Sequence, residues 1–92
     1  MKTYHVEQFE VIARPDFNRV LLPKLAPDFD LKNARVYVMP NGTLSIQNQD
    51  CELRFDNISE RSIQFIRDAG GVSVMNPKCT EHPKLAHIPL QH

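Results

Sequence analysis

Ninety-two residues are enough for one hydrophobic core and no more, and 41% hydrophobic with 24% charged residues lies near the mean of globular domains. That balance excludes a disordered chain, and no run approaches the ~20 apolar residues that cross a bilayer. Eleven basic and eleven acidic residues, spread without blocks, give a formal net charge of zero, so neither a polyanion nor a polycation is favoured as a partner.

The first stretch, MKTYHVEQFEVIARPDF, alternates polar with apolar residues and lacks the continuous apolar segment of a signal peptide, so a cytoplasmic protein is expected. Tyr4 and Val6 share one phase and Phe9, Val11 and Ala13 the other, which predicts one bent strand over Thr3–Ala13 with a bulge near Glu7 and Gln8. Phe17, Val20 and Leu21 then recur at helical spacing behind Pro15 and Asp16. Pro23 and Pro27 limit that helix to one or two turns.

From Arg35 the period becomes two. Val36 and Val38, Leu44 and Ile46, and Cys51, Leu53 and Phe55 alternate with polar neighbours, which predicts three antiparallel strands over 35–55. Pro40-Asn41-Gly42 suits a turn with glycine in the left-handed conformation, and Asn48-Gln49-Asp50 supplies the second reversal. NISERSIQFIRDAGG follows as a helix over 58–69. Asn57 is its expected cap and Gly70 its stop, with Ile58, Phe65, Ile66 and Ala69 on the packing stripe and Ile63 at the edge. Residues 72–75 form a last strand.

The expected architecture is therefore α+β: a small antiparallel sheet, made of the 35–55 meander with the N-terminal and 72–75 strands, and one main helix on one face. Residues 1–75 make a single domain, and 76–92, with Pro77, Pro83 and Pro89, an irregular tail.

The tail carries Cys79, His82, His87 and His92. Zinc needs donors that converge to about 2.0–2.3 Å, and histidines five residues apart point away from one another in a helix and spread in a strand. A solvated tail is the expected reading, with a zinc site through Cys79 and His82 as an alternative. Cys51 alternates with Leu53 and Phe55 as a small buried hydrophobe would, and both cysteines are expected as thiols. Neither a nucleophile motif nor a phosphate-binding glycine loop occurs in the sequence, and the acidic pairs Asp28/Asp30 and Asp50/Glu52 read as solubilising charges. No enzyme and no cofactor is expected.

The pleat turns Arg35, Tyr37, Met39, Ser45, Gln47, Glu52 and Arg54 away from the predicted core. Tyr37, Met39, Arg35 and Arg54, with Arg61 and Arg67 on the helix, make the expected partner-binding surface, because aromatic, thioether and guanidinium groups are enriched at protein interfaces. Whether the apolar segment 15–31 covers that face is left open by the pattern. The expected function is non-enzymatic capture of a protein partner, in the manner of a small inhibitor from a phage or mobile element that docks on a host nucleic-acid-processing complex such as a CRISPR effector. That class is an argument from size and elimination. The alternative is a nucleic-acid-binding module that uses the same sheet face, with Arg14, Arg19, Lys24, Lys32 and Arg35 as a basic strip.

Overall fold

The computed structural model describes residues 1–75 and 85–91 and shows a small α+β domain. Strands β1 (Lys2–Val6), β2 (Arg35–Val38), β3 (Leu44–Gln47) and β4 (Cys51–Phe55) form one sheet in the order β1-β4-β3-β2. The meander β2-β3-β4 is antiparallel, as its alternation predicts. β1 instead lies parallel to β4, so the sheet is mixed. A parallel neighbour needs a long crossover rather than a hairpin, and here the meander and the segment before it supply that connection.

The turns are built as the sequence implies. The Met39 N–H donates to the Thr43 carbonyl at 2.8 Å, and Gly42 has a φ of 85°. At the second reversal the Asn48 Oδ1 accepts from the N–H groups of Asp50 at 2.9 Å and Cys51 at 2.8 Å. An asparagine side chain thus closes the turn in place of backbone.

The expected bent N-terminal strand is shorter than its pattern. It ends at Val6, and Phe9–Ala13 winds into a 3-10 turn. The change of phase marks a change of period, because a turn of three residues puts Phe9 and Ile12 on one side. Phe9 meets Phe55 edge-on at 5.4 Å between ring centres, and Ile12 is buried.

Segment 15–31 packs on the apolar face of the sheet. Phe17, Leu22, Ala26 and Phe29 join Val36, Ile46, Leu53 and Phe55 in a single core, and the Cys51 thiol, which is free, points its Sγ at the Asp28 carbonyl, 3.6 Å away. The local backbone follows from Pro23. Its ring would collide with the carbonyl four residues back, so the chain widens into a π-turn over Phe17–Leu21 before α1 (Leu22–Leu25). The Leu21 N–H accordingly reaches five residues back to the Asp16 carbonyl at 3.2 Å.

Helix α2 spans Glu60–Ala69. Its cap is Ser59, whose hydroxyl accepts the Ser62 N–H at 3.2 Å, and not Asn57. Asn57 has a φ of 59° and turns the chain into the helix from outside it. Gly70 ends the helix in the left-handed conformation as expected. The packing stripe is narrower than its hydrophobic pattern: Ile66 is buried and Ile58 and Ile63 half-buried, but Ala69 is exposed and Phe65 is 73% exposed. The helix leans mainly on β5 (Gly71–Met75).

β5 does not join the four-stranded sheet. It pairs antiparallel with β6 (Leu85–Pro89) in a ribbon of its own. Part of the expected irregular tail is therefore regular: Ile88 and Leu90 are buried and His87 and Pro89 exposed, the period of a strand. Beyond β6 the chain touches the main sheet, where Leu90 bridges to Val36 and the Gln91 N–H donates to the Val36 carbonyl at 2.8 Å. Pro89 is tolerated because the ribbon is only two strands wide.

Candidate functional site: the polar face of the sheet

The strand register sorts the sheet into two faces. Val36, Ile46, Leu53 and Tyr4 align across it on the core side, as do Val38, Leu44, Phe55 and Val6. On the other side two rows cross all four strands: Arg35, Gln47, Glu52 and Thr3, then Tyr37, Ser45, Arg54 and His5. Among the described residues no element packs over these rows, since 15–31, the 3-10 turn and the ribbon all share the core on the opposite side. Segment 15–31 thus adds to the core and leaves the polar rows uncovered.

The centre of the face is a fixed polar network. Glu52 is only 8% exposed and Ser45 is 0% exposed. The Thr3 hydroxyl donates to Glu52 Oε1 at 2.9 Å, the Ser45 hydroxyl donates to Oε2, and the Gln47 amide donates to Oε2 at 3.2 Å and to Ser45 Oγ at 2.9 Å. Burial alone would raise the Glu52 pKa. The hydrogen bonds from Ser45, Thr3 and Gln47, with the Arg54 charge nearby, outweigh that and hold it below its ordinary value. A second carboxylate, Asp56, lies at the border of the face. It accepts from Thr43 Oγ1 at 3.1 Å and from the Arg54 guanidinium at 3.4 Å, and it lies 3.7 Å from His5 Nδ1.

This network makes a prediction. A carboxyl whose pKa is depressed by folding stabilises the protein fully above its unfolded value, about 4.5, and that contribution is lost as pH falls through the lower folded value. Glu52→Gln should cost about 1–3 kcal/mol at neutral pH, because hydrogen bonds to the charged group are lost or weakened. It should also flatten the acid side of the stability profile, as measured by thermal melts across the acid range. An acid limb identical to that of the parent would show that Glu52 gains nothing from these partners on folding.

The residues predicted to bind a partner divide into two groups. Arg35, Tyr37 and Arg54 lie together on the polar face, Arg35 exposed and the other two half-buried. Met39 stands just past the end of β2, half-buried at the turn. Arg61 and Arg67 are exposed on α2, which packs on β5 and not beside the polar rows. Of the basic strip, Arg14 is engaged by Asp16 at 3.0 Å. Arg35 also borders a shallow depression of about 290 Å³ where the sheet meets the ribbon, shared with His87 and Pro89.

The pattern missed the Glu52 network as a site feature and read that carboxylate as a solubilising charge. The clue was in the turn: a reversal at 48–50 places Gln47 opposite Glu52, and Ser45 lies two residues away on the same face. Thr3 could not be found this way, because its place depends on the parallel docking of β1.

Of the metal candidates, Cys79, His82 and His92 lie outside the described residues. His87 is exposed on β6, and both its ring nitrogens have protein partners. The Gly70 carbonyl can only accept, so Nε2 donates to it at 3.3 Å and Nδ1 accepts from the Ser73 hydroxyl at 3.3 Å. Among the described residues no group of three His, Cys, Asp or Glu side chains is placed to hold a metal ion, and no helix is long and apolar enough to cross a membrane. No family model, curated protein or solved structure matches the chain.

Proposed function

We propose that the chain is a binding protein whose polar sheet face receives a protein partner. The observation that carries this reading is the ordered state of a face that no described element covers. Glu52 ties β1, β3 and β4 together from that side, and Asp56 holds the Arg54 guanidinium, so the groups a partner would meet have already lost much of their freedom. Tyr37 and Arg54 stand next to each other across Ser45, a small residue that leaves room between them.

A protein partner is favoured over a phosphate backbone because Arg54, one of the two arginines of this face, is matched by carboxylates. Asp56 engages Arg54 directly, and Glu52 adds a second negative charge close by. The narrower reading, an inhibitor of phage or mobile-element type acting on a host nucleic-acid-processing complex, rests on chain size and elimination and not on a residue.

The test is capture from the protein's own cell extract by the parent and by the Tyr37→Ala/Arg54→Glu variant, followed by identification of what is lost. A specific partner should be depleted at least about tenfold while the melting temperature stays within a few degrees. Equal capture by both proteins would overturn the assignment of the face. Binding of a short labelled RNA that weakens steeply with salt would replace the protein partner with a nucleic acid.

A further inference from the structure

On the side of the molecule away from the polar face, α2 carries an exposed stripe that its own fold does not use. Arg61, Phe65 and Asp68 are four and three residues apart, which puts them on one line along the helix, and all three are exposed. Phe65, at 73%, is the most exposed large hydrophobic side chain among the described residues, level with the N-terminal Met1 at 72%. Its ring also forms the rim of an apolar groove of about 390 Å³ between α2, the 3-10 turn and β5, with Ile12, Ala69 and Val72 among the other lining residues. A protruding aromatic and an apolar hollow of more than its size thus sit side by side.

The charges at the ends of the stripe indicate what fits it. Arg61 is positive toward the helix N-terminus and Asp68 negative toward the C-terminus, with Phe65 near the midpoint. If a second α2 is laid antiparallel across the first, a two-fold axis near Phe65 sets each Arg61 against the other copy's Asp68. It also carries each Phe65 toward the other copy's groove. A surface that is its own complement under a two-fold rotation is what an isologous interface requires. Antiparallel alignment also sets the two helix dipoles favourably. Asp68 accepts from the Gln64 amide through Oδ1 at 2.8 Å, so its second oxygen is available in a defined direction. Arg61 has no ion-pair or hydrogen-bond partner among the described residues.

We infer that the occupant of this groove is a second copy of the chain, which pairs through antiparallel α2 helices with Phe65 exchanged between grooves and two reciprocal Arg61–Asp68 contacts. The patch is small beside the ~800 Å² per partner of a standard interface, so the dimer is a weak one that forms with rising concentration. Its position leaves the polar faces of both copies free, and it stands independently of the partner proposed above.

Sedimentation of the full chain over a wide concentration range, at low and at moderate salt, tests the inference. The parent should shift from monomer to dimer with concentration, and Phe65→Ser should remain monomeric with an unchanged helical circular dichroism signal. Arg61→Asp and Asp68→Arg, each of which suits the helix dipole at its own end, should each weaken the dimer by about tenfold or more, because each replaces two attractions by two repulsions. The combined Arg61→Asp/Asp68→Arg variant should regain the parent's behaviour. A parent that stays monomeric, a dimer indifferent to Phe65→Ser, or a double swap that does not recover would overturn it.

Discussion

Phe17→Ala should remove about 3–5 kcal/mol, a large share of the stability of a domain this size. Phe17 is 1% exposed and is, with Phe55, among the largest fully enclosed side chains. It enters the core from the π-turn, a short irregular element whose own backbone bonds could not hold it in place. Truncating it takes away both the transfer free energy of a benzyl group and the contacts around the cavity left behind. A domain of this length loses about 4–8 °C of melting temperature per kcal/mol, so calorimetry should record a fall of at least about 12 °C. A drop of only a few degrees would mean that segment 15–31 rests on the sheet without being part of its core.

The second large effect is expected at Gly71. Its φ is 149°, and a methyl group there would come within 2.0 Å of the Ile88 carbonyl oxygen and 3.0 Å of the His87 ring. The obstacle is backbone, which cannot rotate out of the way as a side chain could. Gly71→Ala should therefore combine dihedral strain with the cost of displacing β6, about 3–4 kcal/mol together. Gly70 is the natural control: it is also left-handed, at 72°, but a methyl group there meets nothing within 4 Å. Gly70→Ala should cost only about 1–2 kcal/mol, the conformational term alone. Equal melting temperatures for the two variants would show that β5 and β6 are not held as closely as the geometry has them.

The parts of this fold that were legible in the sequence are those decided by neighbours close in the chain. The meander could be read because each of its strands buries one side, so its alternation survives intact, and Asn48 and Gly42 mark its turns. The helix stop at Gly70 is equally local. Its start was misplaced because Asn57 and Ser59 are both good capping residues, and the choice between them depends on the approach of the chain from β4. Phe65 was misread for a different reason. Periodicity shows which residues share a stripe but not how wide the supporting surface is, and β5 is wide enough for Ile66 alone to be buried on it.

What could not be read depends on contacts distant in sequence. The parallel docking of β1 pairs Lys2 with Cys51 and Val6 with Phe55, and no feature of KTYHV sets that direction. β6 was concealed by Pro89 within it and Pro77 and Pro83 ahead of it in the sequence, which ordinarily argue against a strand, and its partner β5 lies beyond the 76–84 segment. The polar face was legible as a list of residues, because the pleat alone assigns it. Its organisation around Glu52 was not, since three of the four strands must be in register before Thr3, Ser45 and Gln47 converge on one carboxylate.

The contact of residues 90–91 with β2 bears on how this protein would aggregate. A sheet grows into a fibril only if both of its borders can recruit another strand. Here residues 90 and 91 meet the β2 border at Val36, which leaves the outer side of β1 as the open border of the four-stranded sheet among the described residues. Two molecules joined border to border at β1 would leave this sheet no further open border, and its growth would stop at a pair. Fraying of Leu90 and Gln91 from β2 would therefore be the step that turns a terminating association into a propagating one.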